Sequence, residues 1–398
     1  MEINWTDELQ EFIISQRGTD PIQLVLQQKK YPQFDMKFVA QQVEGYRMAL
    51  DKLPGIAQHN NFIYPPKLNR EQCSSEVTAT YKARTYMQNR SIADITGGLG
   101  IDSLFIAREA KSVVYIEENK ELYDIASLNF KHLGQKNIRT FCSDGIGYLE
   151  SSTEHFDIIY IDPARRNEHG KKVSAFEDCS PNILCNIDLL LSKADKVLIK
   201  SSPMLDISEA IRQLKYVEEI TILSVKNECK ELLFLCSKAH STDHPKQHCV
   251  NIKTDGTIDT VTFTADEENE LSIPYTSEIE EYIYDPNTSL SKAGAFKTLS
   301  IKYNVRKIHR NTHLYTSGEK IDNFPGRIFK VIKEVKATAS EIADTLPDKK
   351  AHVVTRNYPS TSQELQKKLR LKEGGDIYLI AFTKANDKKT VLLCSKIN

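Results

Sequence analysis

Acidic residues stand at matching places in the first half of this 398-residue chain. One acid ends or follows each of four consecutive strand-like segments: Asp94, Glu117, Asp144 and Asp162. The carboxyl ends of neighbouring parallel strands meet at one edge of a sheet, where open α/β sheets bind their ligands. The series therefore predicts a single acid-lined crevice, which would attract a positively charged group.

A glycine-rich turn, Asp94-Ile95-Thr96-Gly97-Gly98-Leu99-Gly100, follows the first of these segments. Glycines there let the backbone approach a ligand and turn amide groups towards it, although a tight turn without a ligand is the bland alternative. The spacing Gly98-x-Gly100-x-x-Ser103 approximates the dinucleotide fingerprint, in which Glu117 would hold a ribose.

Three acids argue against a dinucleotide. Asp94 would repel a pyrophosphate but attract an α-ammonium group. Asp144 is placed to accept a hydrogen bond from an adenine amino group, and Asp162 ends the fourth segment, beside the position of a transferable group. These features favour a cofactor that carries both an ammonium group and an adenine.

The elements that position these residues are short apolar runs between helix-like segments. The runs cover residues 91–95, 112–117, 138–142, 156–161, 196–201, 219–225 and 231–237. Because most are continuously apolar, we expect strands covered on both faces, in a mainly parallel sheet inside helices. The short turn at Asn227 predicts that the last two strands pair as an antiparallel hairpin. A cap at Asn119, an apolar stripe and Gly134 predict one covering helix.

The regions on either side of the sheet have different patterns. The first 75 residues carry helix-period patterning broken by prolines, which predicts a small helical domain. A capping-box pattern, Asn69-x-x-Gln72, predicts that a helix opens there and runs through about Tyr86. The end of the chain predicts a compact α+β module with the order strand 327–335, helix 337–345, strand 351–356, helix 362–368, strand 377–383 and strand 390–395.

Composition bounds the class of protein. With 40% hydrophobic residues the chain can bury more than one core. Its 8 cysteines form no Cys-x-x-Cys pair of the kind used by zinc sites or redox dithiols, so we expect no metal. The start, MEINWTDELQEF, lacks the features of a secretory signal, and no 18-residue apolar stretch occurs. We expect a soluble cytoplasmic protein without a membrane partner.

Residues from about 76 to 240, with their four acids and glycine-rich turn, resemble a class I S-adenosylmethionine-dependent methyltransferase, whose sheet ends in the same antiparallel hairpin. The resemblance implies S-adenosyl-L-methionine as cofactor. It places Asp94, Thr96, Gly97, Gly98 and Gly100 on the methionine side of that cofactor. It also implies that Glu117 binds the ribose hydroxyls, that Asp144 and Gly145 bind the adenine, and that Asp162 flanks the methyl group.

The segment Asp162-Pro163-Ala164-Arg165-Arg166 bears on the methylated atom. It departs from the Asn/Asp-Pro-Pro-Tyr/Phe pattern of enzymes that methylate planar nitrogens, although Arg165 or Arg166 could still stack on a base or clamp a phosphate. It is also similar to the Asp-Pro-Pro-Arg of enzymes that methylate carbon-5 of uridine with a cysteine nucleophile. Here Lys200-Ser201-Ser202-Pro203 replaces that cysteine, so carbon-5 chemistry is disfavoured unless Cys179 folds back into the site.

We expect catalytic roles for Asp162, Arg165 and Lys200. Lys200 would contact the substrate or simply pair with Asp162, and the arginines would otherwise pair with nearby acids.

Charge is sorted along the chain. The overall formal charge is -1, but residues 291–398 carry 22 basic and 10 acidic side chains, so the preceding 290 residues hold an excess of acids. Residues 254–290 contain ten acids and no Lys or Arg, and residues 291–310 contain six basic residues and no acid. Aromatic and basic residues alternate in the second stretch, which suits phosphates and unstacked bases. Alternatively, it is a solvated helix paired with the acidic stretch.

The C-terminal part resembles the THUMP-like domain of a bacterial methyltransferase family. The match rests on Arg356-Asn357-Tyr358-Pro359 and Lys372-Glu373-Gly374-Gly375-Asp376, and on the preceding segments 292–297 and 311–317 that match its ferredoxin-like companion. THUMP domains deliver RNA to modifying enzymes, so the resemblance implies an RNA partner. We expect substrate contacts from Arg166, Lys297, Arg306, Lys307 and Arg356.

Together these features predict an α/β fold: a seven-stranded Rossmann-like methyltransferase sheet between an N-terminal helical domain and a small C-terminal α+β domain. The predicted domain limits are 1–75, 76–240, 241–322 and 323–398. The leading hypothesis is an S-adenosylmethionine-dependent RNA methyltransferase that acts on a base or a ribose. The alternatives are a non-catalytic RNA-binding protein with a vestigial cofactor pocket and a methyltransferase for a protein or small molecule.

Overall fold

The computed structural model describes residues 5–165, 176, 179–240 and 242–397. The chain divides into two compact units: Met1–Glu218 with Leu233–Asp243, and Glu219–Leu232 with His244–Asn398. The four domains expected from the sequence are a finer division, which stays a prediction. Within the described residues, no helix is long and apolar enough to cross a membrane.

The first unit combines an N-terminal group of helices with most of a large sheet. Its helices are α1 (Asp7–Ser15), α2 (Pro21–Leu26), α3 (Met36–Lys52), α4 (Pro54–Ala57), α5 (Lys67–Gln72), α6 (Glu76–Tyr86), α7 (Ile101–Glu109), α8 (Lys120–His132), α9 (Gly145–Ser151), α10 (Ile183–Lys193) and α11 (Ile207–Gln213). Its strands are β1 (Ser91–Asp94), β2 (Ser112–Glu117), β3 (Ile138–Cys142), β4 (Phe156–Ile161), β5 (Ala164–Arg165), β6 (Cys179–Ser180) and β7 (Ala194–Ser201). The hairpin of β8 (Val217–Val225) and β9 (Glu228–Cys236) belongs partly to each unit.

Parallel pairing joins β7-β4-β1-β2-β3 in the first unit's sheet, and β9 is the next strand beside β7. Strand β1 lies between β2 and β4, with Asp94 opposite Tyr115 and Tyr160. Strands β3 and β7 extend the parallel sheet on either side. The predicted parallel strands are confirmed, and Asp94 and Glu117 are the last residues of β1 and β2.

The expected hairpin is also present. Lys226 and Asn227 join β8 to β9, and both have positive φ angles, of 51° and 63°. Two-residue turns with this backbone match the twist of antiparallel strands. The expected helix α8 begins after the Asn119 cap and ends at His132, with Leu133 as its C-cap and Gly134 directly after the cap, as predicted.

The prediction of a single helix from Asn69 through about Tyr86 is wrong. The chain instead forms α5 and α6, separated at Cys73-Ser74-Ser75. The Ser75 side chain accepts a hydrogen bond from the Thr78 amide and so begins α6. The apolar core of this unit joins these helices to the sheet, with Ala83 of α6, Phe105 of α7 and Ile158 of β4 in one cluster.

The second unit contains the rest of the large sheet and a separate, mostly antiparallel sheet. Its remaining strands are β10 (Lys246–Ile252), β11 (Ile258–Phe263), β12 (Tyr282–Pro286), β13 (Arg306–Lys307), β14 (Tyr315–Ser317), β15 (Gly326–Val335), β16 (His352–Arg356), β17 (Ile377–Thr383) and β18 (Lys389–Lys396). Its helices are α12 (Ala265–Glu270), α13 (Thr288–Ala293), α14 (Phe296–Tyr303), α15 (Ala339–Thr345) and α16 (Ser362–Leu369).

Strand β10 pairs in parallel with β8 and antiparallel with β11, so the large sheet continues beyond the seven strands expected. The other sheet has the order β13-β14-β12-β15-β18-β17-β16, and β16 is its edge strand. The predicted C-terminal strands and helices are all present, with ends within two residues of those expected. Leu365 and Leu369 of α16 bury one face of that helix against this sheet.

Candidate active site

The loop after β1 can exist only with glycine at particular positions. Gly98 and Gly100 have φ angles of +53° and +79°, a backbone region that residues other than glycine rarely adopt. A Cβ at Gly97 would lie 2.2 Å from a ring carbon of Tyr115. The Tyr115 hydroxyl in turn donates to the Gly98 carbonyl at 2.6 Å, so the ring supports the loop from below.

Asp94 lies under this loop, with only 1% of its surface exposed. One of its carboxylate oxygens accepts a hydrogen bond from the Ser103 hydroxyl at 2.6 Å, and the other accepts from the Thr96 amide at 3.2 Å. Burial raises the pKa of Asp94 to about 7, and these two hydrogen bonds oppose that rise. A nearby cation would therefore stabilise the charged form of this carboxylate.

Separate contacts bring Glu117 and Asp162 to the same loop. The Glu117 carboxylate accepts from the amide of Gly98 at 2.6 Å and from that of Asn119 at 2.8 Å, and burial raises its pKa. The Asp162 amide donates to the Thr96 hydroxyl oxygen at 2.7 Å. The end of β2 and the end of β4 are thereby fixed to the two sides of the loop.

The turn after β3 reaches the loop through Gly145. A Cβ at Gly145 would lie 2.3 Å from the Ile95 carbonyl oxygen, so this approach requires glycine. Asp144 caps α9, because its Oδ2 accepts a hydrogen bond from the Gly147 amide at 2.6 Å. Its Oδ1 accepts no hydrogen bond from the described residues, and the residue is exposed. Asp144 thus combines a structural cap with an available acceptor.

Lys200 pairs with Asp162, one of the two alternatives drawn from the sequence. Its Nζ lies 2.6 Å from Asp162 Oδ2, while 37% of the Asp162 side chain remains exposed. The predicted residues Asp94, Thr96, Gly97, Gly98, Gly100, Glu117, Asp144, Gly145, Asp162 and Lys200 are therefore gathered at the carboxyl ends of β1–β4 and β7. Their individual roles stay predictions.

The segment after Asp162 is only partly described. Backbone pairing sets Arg165 opposite Cys179 and Ala164 opposite Ser180. The backbone of Cys179 therefore lies opposite Arg165, three residues after Asp162, and a role for its thiol in carbon-5 chemistry stays a prediction. Arg166 lies outside the described residues, and so does the side chain of Arg165.

In the second unit, the predicted substrate contacts are engaged within the protein. Arg306 pairs with Glu280 at 2.9 Å and with Glu278 at 3.5 Å. Two nitrogens of the Arg356 guanidinium donate to Asp285, each at 3.1 Å, and Lys297 Nζ donates to the Asn269 carbonyl at 3.1 Å. The pairing of Arg306 agrees with the alternative drawn from the sequence, in which the basic stretch of residues 291–310 pairs with the acidic stretch of residues 254–290.

Lys307 is turned inwards. It is 1% exposed, and its Nζ donates to the carbonyls of His309 and Arg310 at 2.5 and 2.7 Å. Burial lowers the pKa of its ammonium group to about 8. A phosphate could not reach this nitrogen in the conformation described, so the expected substrate role of Lys307 has no support in its contacts.

Sequence reasoning missed a buried polar network beside the glycine loop. Lys82 of α6 contacts Asp102 of α7, and Ser74 and Tyr160 join them. The available signal was the place of Lys82 on the apolar stripe of α6, three residues after Ala79 and four before Tyr86. A lysine on that stripe must find buried partners.

Residues 83–223 match the family described as Conserved hypothetical protein 95. Residues 282–325 match a ferredoxin-like domain, and residues 326–396 match a THUMP domain-like family.

Individual relatives agree with these matches. The crystal structure of a proposed methyltransferase from Porphyromonas gingivalis W83 is 33% identical, covers 98% of both chains and superposes with a TM-score of 0.88. An uncharacterised RNA methyltransferase of Mycoplasma mobile is 30% identical over 112 residues, 27% of this chain and 31% of that protein. The 23S rRNA (uracil(747)-C(5))-methyltransferase of Vibrio vulnificus YJ016 is 29% identical over 98 residues, 25% of this chain and 26% of that protein.

The chain spans about a third or less of the length of those two curated relatives. The likeness to the Porphyromonas gingivalis protein, by contrast, extends over nearly all of both chains. The chain therefore belongs to the family of class I S-adenosylmethionine-dependent methyltransferases that carry a C-terminal THUMP-like domain.

Proposed function

We propose that this protein is an S-adenosylmethionine-dependent methyltransferase that acts on RNA in the cytoplasm. The observation that carries the proposal is the set of four acids fixed around one glycine loop. Three independent contacts, Glu117 to Gly98, Gly145 to Ile95 and Asp162 to Thr96, bring the strand ends together. Acids held in this way suit a ligand that carries an ammonium group, ribose hydroxyls and an adenine.

The residues present fit this cofactor. Asp94 would attract its ammonium group, and Glu117 would accept hydrogen bonds from its ribose hydroxyls. Asp144 keeps Oδ1 for the adenine amino group while Oδ2 caps α9. When bound, the cofactor supplies an electrophilic methyl group on a cationic sulfur. Asp162, half-exposed and held by Lys200, would face the incoming substrate. Holding a nucleophile in line accounts for much of the rate of such a transfer.

An RNA substrate is supported by the names of the curated relatives, both of which are RNA methyltransferases. It is also supported by a surface of the second unit that we call the basic edge. The basic edge consists of exposed cations on two adjacent segments: Lys349, Lys350, Lys367, Lys368, Arg370 and Lys372. Among the described residues, none of these six forms an ion pair within 4.0 Å.

Backbone contacts hold the two segments of the basic edge together. Lys350 forms a β-bridge with Lys372, and the Lys372 amide donates to the Lys349 carbonyl at 2.7 Å. Arg370 ends α16 in the left-handed conformation. Cations that are exposed, close together and unpaired are well placed to neutralise phosphates. The basic edge therefore suits RNA better than Arg306, Lys307 or Arg356, which have partners inside the protein.

Calorimetry with S-adenosylhomocysteine tests cofactor binding. The full chain is expected to bind it, and Asp94→Ala should weaken binding by about tenfold or more because the ammonium loses its counter-charge. Asp195→Ala, which removes an exposed acid near the amino end of β7, should leave the affinity unchanged. Absence of binding by the unaltered chain would overturn the proposal.

Methyl transfer is tested with methyl-labelled cofactor and RNA from a strain that lacks the gene, followed by identification of the modified nucleoside. Labelled RNA is the expected result. Binding of the cofactor without labelling of RNA, protein or small molecules would favour the non-catalytic alternative. Labelled protein or a labelled small molecule would favour the other enzymatic alternative.

Cys179 distinguishes between target atoms. Carbon-5 methylation of uridine needs a thiolate nucleophile, and the Vibrio vulnificus relative is named for that reaction. If this chain uses the same chemistry, Cys179→Ser should abolish labelling, while Cys185→Ser, at an exposed cysteine of α10, should not. Unchanged labelling with Cys179→Ser would assign the transfer to a nitrogen or a ribose oxygen.

A further inference from the structure

A lysine with no exposed surface lies beside the glycine loop. Lys82 is 0% exposed, and its Nζ lies 2.8 Å from Asp102 Oδ1. The same ammonium donates to the hydroxyl oxygens of Ser74 and Tyr160, at 2.9 and 3.3 Å. Removing an ammonium group from water is costly unless it is paired and hydrogen-bonded, and Lys82 is both.

Asp102 completes the network. It lies in the first turn of α7, two residues after Gly100. Its Oδ2 accepts from the Ser74 hydroxyl at 2.7 Å and from the Tyr160 hydroxyl at 3.0 Å. Burial opposes its ionisation, but the ammonium groups of Lys82 and then Lys200 hold its pKa below the ordinary value. Asp102 is therefore a buried carboxylate whose ionised form is stabilised first by Lys82 and further by Lys200.

This network lies next to Asp94. Tyr160 is the register partner of Asp94 between β4 and β1, and the Asp94 partner Ser103 directly follows Asp102. The charges of Asp102 and Asp162 both oppose ionisation of Asp94. Asp102 is paired with Lys82 and Asp162 with Lys200, whereas Asp94 accepts only from neutral donors among the described residues. Of the three carboxylates of Asp94, Asp102 and Asp162, that of Asp94 thus has no ammonium partner among the described residues.

We propose that Lys82 is a positioning residue for cofactor binding. Its ammonium neutralises Asp102 and holds it against Ser74 and Tyr160, so that Asp94, the neighbouring carboxylate without an ammonium partner among the described residues, can take the ammonium group of the cofactor. This inference rests on the proposed function, because Asp94 is assigned to the cofactor there. It explains why a helix outside the sheet places a lysine in the core at this point.

The test compares S-adenosylhomocysteine binding by the full chain, Lys82→Met and Lys82→Met/Asp102→Asn between about pH 6 and pH 9. Methionine keeps the length of the side chain without its charge. We expect Lys82→Met to bind about tenfold more weakly at neutral pH, with its affinity profile moved to higher pH, because the unpaired Asp102 opposes ionisation of Asp94. The double variant removes both charges and should recover affinity to within about threefold.

A matched control is Lys196→Met. It removes the lysine of the ion pair with Glu218 near the amino end of β7, and it should bind like the unaltered chain. Thermal melting establishes that each variant is folded. If Lys82→Met does not fold, the double variant decides: near-normal affinity supports the inference, and a tenfold loss overturns it.

Two further outcomes would overturn the inference. Equal affinity and an equal pH profile for the unaltered chain and Lys82→Met would do so while leaving the proposed function in place. A loss that the Asp102→Asn change does not rescue would mean that Lys82 acts through packing alone. Absence of binding by the unaltered chain would overturn the proposed function and this inference together.

Discussion

Asp94 is the residue whose chemistry depends most on its surroundings. Its ordinary pKa is 3.8, and burial raises it to about 7. Between these values the folded chain binds a proton that the unfolded chain has lost. The contribution of Asp94 to the free energy of unfolding therefore falls as pH rises through this window.

Cofactor affinity should change in the opposite direction. A bound ammonium group favours the carboxylate form of Asp94, so binding must release its proton at low pH. We expect the affinity for S-adenosylhomocysteine to rise by about tenfold between about pH 5.5 and pH 7.5, with proton release at the lower end. Calorimetry in buffers of different ionisation enthalpy measures both quantities. A flat profile would exclude Asp94 as the titrating group.

A second prediction at the scale of single residues concerns Gly97 and the stability of the glycine loop. Gly97→Ala would place a Cβ against the Tyr115 ring, which is fully buried and held by its bond to Gly98. We expect a loss of about 1–3 kcal/mol in the free energy of unfolding, with weaker cofactor binding, because the loop must shift. Urea unfolding and calorimetry check this. Gly18→Ala, where no atom lies within 4 Å, is the control and should change neither.

The position of a single residue could be predicted from the sequence where the end of a strand determines it. It could not be predicted where the position depends on a partner distant in the sequence. The places of Glu117, Asp144 and Asp162 follow from strand order alone. Lys82 could not be paired with Asp102 from the sequence, because the contact depends on how α6 packs against α7. The engagement of Arg356 by Asp285 likewise requires knowing that β12 and β16 share one sheet.

At the scale of elements, the break between α5 and α6 shows which local signals decide a boundary. The pattern Asn69-x-x-Gln72 has the residue types of a capping box, but Ser75 supplies the cap that forms. The Glu76 side chain accepts from the Gly55 amide at 2.7 Å and ties the start of α6 to α4. Local pattern could not rank two candidate caps six residues apart, since a tertiary contact favours the second.

Ser75 should therefore contribute measurably to stability. Ser75→Ala leaves the Thr78 amide without its acceptor and is expected to lower the free energy of unfolding by about 1 kcal/mol. Ser75→Asp keeps an acceptor at the same position and should remain within a few tenths of the original value. Urea unfolding followed by circular dichroism measures both. Equal stability for all three proteins would show that the cap is unimportant.

For the whole molecule, the structure indicates which of the unevenly distributed charges of the sequence are paired and which are available. The excess of basic residues in the last third is real, but among the described residues four of its cations are paired with acids of the acidic stretch: Arg306, Arg327, Lys330 and Arg356. The basic edge is one cluster of cations that are exposed and form no ion pair in the described part of the second unit. A count of charges along the chain predicted the partner class, whereas only pairing in three dimensions indicates which cations are available.

The basic edge yields a prediction for RNA binding. Replacing Lys349, Lys350 and Lys372 together by Gln should weaken RNA binding and lower the slope of log affinity against log salt by about two, as expected when three phosphate contacts are lost. Filter binding over a salt series measures this slope. The control replaces Lys320, Lys330 and Lys388, each paired with an acid, by Gln. An equal effect of both triple variants would indicate general charge rather than a docking surface.

The hairpin of β8 and β9 has a consequence for the order of synthesis. The chain passes between the two units after Glu218, after Leu232 and after Asp243. A nascent chain must therefore release part of the second unit before it can supply the last strand of the first. The sheet of the first unit cannot be completed from residues 1–218 alone, and its formation on the ribosome must wait until β9 has emerged.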